Sequence, residues 1–371
     1  MLRNKLYGFL TVALSLSLFL TLCPVHTSAK AEQSVSAKAA VLYEPETETF
    51  LFSKNSDARL PMASTTKIMT ALVAIERENL DTKITVDSRA VGIEGSSAYL
   101  KAGEVFTLKE LLFALMLQSA NDAAEAIAYA IAGSVDAFAE LMNQKAYALG
   151  LSDTNFTNPH GLDSESHYTT ASDLAKIAAS ALEYPEFFEI TSTKSKRVKK
   201  NGVTRLFVNH NKLLSLYDGC IGIKTGFTKK SGRCLVSAAE RDGVRLICVT
   251  IDAPNDWNDH RCLLDYGFSF TKRETLFSAD AFEYTLPVLN SENSQIKLGI
   301  SENVSIISFS NDQSVKAEMQ LPRFINAPVR VGDKIGKIVV FKNGETISTH
   351  DILAKETVCA KKKRGLLGLF E

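Results

Sequence analysis

Hydrophobic positions change their spacing three times along the chain. Near the start, 37–43 (AKAAVLY) and 49–53 (TFLFS) are short apolar runs joined by Glu44-Pro-Glu-Thr47, which predicts two strands and a turn. From 64 the period lengthens. Ile68, Leu72 and Ile75 recur at helical spacing and predict a helix over 64–78. Further helices are predicted over 108–117 and 122–132, both rich in Ala and Leu, and over 135–149 and 172–182. After Lys194 the texture shortens again. Segments 203–208, 219–225, 234–240 and 245–252 are β-branched and separated by turn residues, so they read as strands, and 258–268 reads as a closing helix. The order is strand pair, helical cluster, strand run, helix. It fits an α/β (α+β) arrangement, a sheet built from both ends of the region and packed against helices.

Beyond about 270 the segments are short and alternating: 281–286, 304–309, 315–320 and 334–341, punctuated by Pro287, Pro322 and Pro328. They predict a small all-β domain over 270–350 that carries no catalytic set. The tail, 351–371, closes on AKKKRGLLGLFE, basic residues beside a short apolar patch. Such a composition suits peripheral contact with an anionic membrane surface; a frayed, solvated tail is the plainer reading. At the other end, Arg3 and Lys5 precede an uncharged apolar run over 9–22 and small residues around Ala29 and Ala31. This reads as a secretory signal over 1–31, cleaved after Ala29 or Ala31. The run is short for a membrane span, which takes about 20 residues.

Composition adds limits. With 371 residues, 45% of them hydrophobic, the chain can bury a sizeable core, and its length favours two domains. Its 42 basic residues balance 42 acidic ones, so nothing points to nucleic acid. Five cysteines follow the signal: Cys220, Cys234, Cys248, Cys262 and Cys359. An odd number leaves at least one unpaired. Cys220 and Cys234 flank a predicted hairpin and either bridge or stay as buried thiols. The sequence has no Cys-x-x-Cys and no His-Glu-x-x-His, so no metal or other cofactor is expected.

The candidate chemistry begins in PMASTTKIMT, residues 61–70. Ser64 and Lys67 are three apart at a predicted helix start, hence on one face. A serine hydroxyl becomes a nucleophile when a neighbour accepts its proton, and a buried lysine can be neutral enough to do so. Helix-start N–H groups suit a developing oxyanion. A helix cap at Ser64 is the plain alternative. Two further patterns follow. Gln118-Ser-Ala-Asn-Asp122 sets Ser119 and Asn121 at a helix junction, where capping is again an ordinary role. Gly222-Ile-Lys-Thr-Gly226 puts Lys224 and Thr225 in a predicted strand, with Gly226 permitting close approach to the backbone; a solvent-facing strand end is the alternative.

Taken in order, Ser-x-x-Lys, Ser-x-Asn and Lys-Thr-Gly resemble the motifs of the penicillin-recognising serine enzymes. The spacing is 55 residues from Ser64 to Ser119 and 105 from there to Lys224. PMASTTKIMTALVAIE, LMLQSANDAAEAIA, FTNPHGLDSESHYTTASDLA and GIKTGFTKKSGRCLVSAAERDGVRLICV are similar to the serine-type D-alanyl-D-alanine carboxypeptidases, the low-molecular-mass penicillin-binding proteins. The resemblance implies a sheet with helices on both sides plus a helical cluster, the penicillin-binding/β-lactamase-like fold, over 32–269. It implies peptidoglycan stem peptides as substrate, β-lactams as covalent inhibitors, and a place at the outer face of the cytoplasmic membrane.

By the same resemblance Ser64 is the nucleophile, Lys67 its base, Ser119 a proton relay and Asn121 the group that orients Lys67. Lys224 and Thr225 receive the terminal carboxylate beside Gly226. The N–H groups of Ser64 and Phe227 form the oxyanion hole, and Lys212 matches a basic position near the cleft. Some relatives carry His where this chain has Phe227. His160 and His167 read as structural, and Trp257 and His260 as candidate cleft liners. A β-lactamase and a transpeptidase share the motifs; the sequence has no Glu-x-x-Leu-Asn of the kind one lactamase class uses for deacylation. A non-catalytic wall-binding protein is the rival of another class, and the intact Ser64, Lys67 and Lys224 argue against it.

Overall fold

The computed structural model describes residues 34–200, 202–310 and 315–361. The predicted signal, and 362–371 of the predicted tail, lie outside the described residues. Strands β1 (Ala39–Glu44) and β2 (Thr49–Lys54) form the expected hairpin. A 3-10 turn, Ala63–Thr66, leads into α1 (Lys67–Arg77). A small ribbon of β3 (Lys83–Thr85) and β4 (Val105–Thr107) precedes α2 (Leu108–Leu117), α3 (Asn121–Ala132), α4 (Val135–Ala148), α5 (Ala171–Leu182) and α6 (Pro185–Ser192). A second ribbon pairs β5 (Ser195–Lys200) with β6 (Val203–Val208), and α7 (Leu213–Leu216) is one turn. Then come β7 (Cys220–Thr228), β8 (Gly232–Arg241), β9 (Val244–Ile251) and α8 (Asp256–Phe268).

The main sheet has the order β2-β1-β9-β8-β7, antiparallel throughout. Residues from both ends of the region thus share one sheet, as the sequence predicts. Its two faces are read directly from strand alternation. Val41, Tyr43, Val249 and Ile251 face α1 to α6 in the larger core, whereas Ala40, Leu42, Leu246 and Cys248 face Leu263 and Leu264 of α8. Helices therefore cover both faces. Strand β7 is left at the edge, and the turn carrying Ser64 packs against it.

From β10 (Thr271–Phe277) the chain is all β, with β11 (Tyr284–Leu289), β12 (Gln295–Gly299), β13 (Val304–Phe309), β14 (Val315–Gln320), β15 (Ile325–Asn326), β16 (Lys334–Lys342) and β17 (Glu345–Ala354). β10 pairs with β13, and the other six form one sheet around Ile296, Ile338, Val340 and Ile352. β17 runs four residues into the stretch read as tail, and Val358 and Ala360 still bridge to Val329 and Ser291. The tail therefore starts later than 351. Alternation in THDILA continues the strand pattern and is the signal for it.

Of the two alternatives for Cys220 and Cys234, the structure has free thiols. Cys234 lies opposite Gly226, six residues along β7 from Cys220, and both thiols are free. At ~3.3 Å per residue the two are about 20 Å apart, far beyond disulfide reach of ~7 Å.

Candidate active site

Ser64 stands in the 3-10 turn rather than in the helix proper, so the first turn of α1 begins at Lys67. Ala63, just before it, has φ +49°. A left-handed residue with a Cβ costs ~1–3 kcal/mol and is held only where the surroundings enforce it. Here Gly161, from a loop between α4 and α5, packs so closely that a Cβ would lie 1.9 Å from the Ala63 carbonyl oxygen. From the sheet side, a Cβ at Gly226 would lie 3.1 Å from Ser64 N. Two glycines thus press the turn of Ser64 from two sides.

Lys67 is fully buried, and its Nζ lies within hydrogen-bond distance of three oxygens: Ser64 Oγ at 3.0 Å, Asn121 Oδ1 at 2.7 Å and the His160 carbonyl at 2.5 Å. Burial lowers its pKa well below that of an ordinary lysine; the charge of Lys224 lowers it further and Asp122 acts the other way. Asn121 is the first residue of α3, and Ala120 occupies the cap position. Its amide spans the site. Oδ1 accepts from Lys67 while Nδ2 donates to the Glu94 carbonyl at 2.5 Å. Ser119 has φ +61° and is buried at the cavity wall. A left-handed serine is unlike an ordinary helix cap.

Lys224 is buried too, against the alternative of a solvent-facing strand end. Its Nζ donates to the Thr225 carbonyl at 2.9 Å, and burial lowers its pKa to about 7. Thr225, Gly226 and Phe227 follow along β7, with the Phe227 ring 67% exposed. Ser64, Ser119, Thr225, Gly226, Phe227 and Lys212 line one cavity of about 560 Å³. Trp257 and Arg233 line it as well, and Arg233 is held by two contacts to the buried Asp256 carboxylate at 2.9 and 2.8 Å. His260 does not reach it: the ring is buried under α8 between Ser237 Oγ and Thr250 Oγ1. His167 is buried behind the turn, where Thr66 Oγ1 lies 2.8 Å from Nε2 and burial takes its pKa to about 3. A larger cavity of about 720 Å³, at Tyr43, Glu44, Arg245 and Arg273, contains none of the motif residues. The motif residues Ser64, Ser119, Thr225 and Gly226 line the smaller one.

Three contributors escape sequence reading. The segment 94–100 folds over Asn121, and Ser96 lines the cavity. Asp122 organises it: its buried carboxylate accepts from Ser97 Oγ at 2.7 Å and from the N–H groups of Ala98 and Leu100 at 3.0 Å. The loop Asn-Pro-His-Gly supplies the Pro159 carbonyl to Thr70 and the His160 carbonyl to Lys67. A turn-rich Asn-Pro-His-Gly was a visible signal; the backbone role was not.

A hydroxyl within hydrogen-bond distance of a buried amine of lowered pKa, in a cleft between a sheet edge and a helical cluster, defines a serine-type hydrolase of the penicillin-binding class. A family model described as D-alanyl-D-alanine carboxypeptidase matches residues 26–255, and one described as penicillin-binding protein 5, C-terminal domain, matches 270–360. The chain belongs to the D-alanyl-D-alanine carboxypeptidase family. It is 34% identical over 347 residues to the D-alanyl-D-alanine carboxypeptidase DacF of Bacillus subtilis (strain 168), covering 91% of this chain and 88% of that one. Among solved structures it matches the D-alanyl-D-alanine carboxypeptidase DacD of Francisella tularensis with TM-score 0.64 and 28% identity, over 90% of this chain and 96% of that one. The Streptomyces K15 DD-transpeptidase matches with TM-score 0.61 and 35% identity, over 64% of this chain and 98% of the other.

Proposed function

We propose that the protein removes the terminal D-alanine from peptidoglycan pentapeptide stems through a Ser64 acyl-enzyme. Ser64 Oγ attacks the carbonyl between the two D-alanines as its proton passes to Lys67. The C–N bond breaks, and the departing amine takes a proton relayed through Ser119. Water then hydrolyses the ester and restores Ser64. Asn121 orients Lys67 and holds the substrate amide. Lys224 and Thr225, with Lys212 nearby, receive the terminal carboxylate, and the N–H groups of Ser64 and Phe227 stabilise the oxyanion. The observation that carries this reading is the contact of Ser64 Oγ with a buried Lys67 whose pKa is lowered.

The same attack opens a β-lactam ring, leaving a stable Ser64 ester, and trimming pentapeptides limits cross-linking of the wall. The signal over 1–31 exports the chain to the outer face of the cytoplasmic membrane. Residues 32–269 act as the catalytic domain, the β-rich part from 270 carries no catalytic set, and the basic tail acts as a peripheral membrane contact. Among the described residues no helix is long and apolar enough to cross a membrane. The likeness to a DD-transpeptidase supports a second reading, in which an amine replaces water as acyl acceptor.

Purified protein with a stem pentapeptide should release D-alanine, and mass analysis of both products separates hydrolysis from transfer to an added amine. Ser64→Ala should abolish both D-alanine release and fluorescent-penicillin labelling while leaving the melting temperature within a few degrees. Activity retained in that variant refutes the nucleophile. Rapid loss of the penicillin label would mark a β-lactamase instead.

A further inference from the structure

We propose that Glu125 is a positioning residue for acylation: it holds His160 and, through the His160 carbonyl, aims the Lys67 lone pair at Ser64. The inference rests on Lys67 acting as the base. A neutral amine has two N–H bonds and one lone pair. At Lys67 the two carbonyl-type oxygens, Asn121 Oδ1 at 2.7 Å and His160 O at 2.5 Å, can only accept. They take the two N–H bonds, and the lone pair is left facing Ser64 Oγ at 3.0 Å, where it receives the hydroxyl proton. With one acceptor lost, the amine turns freely about its last C–N bond and the proton has no fixed recipient.

Both acceptors depend on α3. Asn121 and Glu125 are four apart and share its inward face. Asn121 touches Lys67 directly. Glu125 reaches the loop that carries the other acceptor: its Oε1 lies 3.4 Å from His160 Nε2, with both side chains largely buried. The Leu162 N–H donates to His160 Nδ1 at 3.2 Å, so in the neutral ring the proton sits on Nε2, the nitrogen 3.4 Å from Glu125 Oε1. Burial lowers the His160 pKa, the Glu125 carboxylate acts the other way and the charge of Lys67 lowers it again, for a net shift downward. The loop backbone is fixed as well, by Asn158 Oδ1 accepting from the Gly161 N–H at 2.7 Å.

Glu125 has no other hydrogen-bond or ion-pair partner among the described residues, and it is 8% exposed in the alanine-rich sequence NDAAEAIAYA. A carboxylate in that setting is costly unless it is used. The titratable groups that interact with this network are Lys67 on α1, Lys224 on β7, Asp122 on α3 and His167 in the loop before α5.

The test compares Glu125→Leu, Glu125→Gln, His160→Ala and Lys67→Met in the whole protein. The readouts are the rate of labelling by a fluorescent penicillin and kcat and KM on a D-alanyl-D-alanine pentapeptide. Glu125→Leu should slow labelling and lower kcat by about 10- to 100-fold, with KM within twofold of the parent. Glu125→Gln, whose amide oxygen accepts the same Nε2 proton, should stay within about threefold. His160→Ala should match Glu125→Leu, and combining the two should add nothing. Parental labelling in Glu125→Leu or His160→Ala overturns the proposal. So does a Glu125→Gln enzyme as slow as Glu125→Leu, since charge and not aim would then matter. Should Glu125→Leu fail to fold, His160→Ala carries the same test. Lys67→Met that still labels removes the base reading itself; Lys67→Met inactive beside a normal Glu125→Leu removes only the role of Glu125.

Discussion

Lys67 and Lys224 are both buried, one on the helical wall of the cleft and one on the sheet edge, and the charge of Lys224 adds to burial in lowering the proton affinity of Lys67. The two amines have opposite duties. In the proposed mechanism Lys67 must lose its proton to accept one from Ser64, and Lys224 must keep its proton to attract a carboxylate. Burial brings the Lys224 pKa to about 7. The pH profile of kcat/KM on a carboxylate-ended pentapeptide should therefore be bell-shaped. Its acid limb reports Lys67 and its alkaline limb Lys224, as macroscopic values of a coupled pair. The same peptide ended as a methyl ester should lose the alkaline limb. Lys224→Arg should carry that limb up by ~2 pH units or more, because a guanidinium does not deprotonate in this range. Superimposed profiles for the acid and the ester would take Lys224 out of carboxylate recognition.

The same burial makes Lys224 a source of instability. An unfolded lysine titrates near ~10.4. The folded-state value is about 7, so between the two the unfolded chain binds more protons. Stability contributed by this site is lowest below about pH 7 and rises towards ~10.4. Lys224→Met should be more stable than the parent at pH 6.5, with the gap closing by pH 10. Urea unfolding at the two pH values measures it, and a gap of equal size at both would contradict the linkage. The gain in stability should come with lost activity, as expected where function requires a buried charge.

Ser64, Lys67, Ser119, Asn121, Lys224 and Thr225 were legible because each sits in a short motif whose spacing survives folding. What surrounds them was not. The burial of Lys224 is invisible in Gly-Ile-Lys-Thr-Gly, since a charged strand residue ordinarily faces water and here several elements, the Ser64 turn among them, pack against β7. The His160 carbonyl and the segment 94–100 reach Lys67 and Asn121 from 93 and 27 residues away through backbone atoms, which carry no side-chain signature. SKRVKK hides its strand because its charges mask alternation; in β5, Val198 points inward and Lys196 lies over the Phe113 ring. Helix α6 was missed because it is only two turns long, though Pro185 at its start was a fair signal.

Cysteine pairing offers a direct check on the register of β7 with β8. Cys220, Cys234, Cys248, Cys262 and Cys359 are all free. Cys262 and Cys359 are exposed, while burial pushes the Cys234 thiol up to about 11 and the Cys248 thiol well above its usual value. A maleimide at neutral pH should modify Cys262 and Cys359 within minutes and leave Cys234 and Cys248 until denaturant is added. Reduction beforehand should not change the number of modified sites. A mass consistent with a Cys220–Cys234 bridge would mean that the strands pair in another register.

Gly226 and Gly161 confine the turn of Ser64 from opposite sides, and replacing each should fail in a different way. A Cβ at 226 would stand 3.1 Å from Ser64 N and 3.2 Å from both Ala63 Cβ and the Met62 carbonyl oxygen. Met62 and Ala63 are buried and have nowhere to go, so the strand and the turn must separate by a few tenths of an ångström. That separation opens the gap between the two N–H groups assigned to the oxyanion. Gly226→Ala should slow penicillin acylation by ~10- to 100-fold, short of the full loss of a donor, and cost about 1–3 kcal/mol of stability. Gly161 has φ +90°, and a Cβ there would lie 1.9 Å from the Ala63 carbonyl oxygen, inside covalent-clash range. Gly161→Ala combines a forbidden backbone with a collision, so it should cost on the order of 3 kcal/mol or more and lose fold and activity together. Chemical denaturation and acylation rates on both variants separate the two outcomes. If Gly226→Ala acylates at the parental rate, closeness of β7 to Ser64 is not what stabilises the oxyanion, and the Phe227 N–H loses its assigned part.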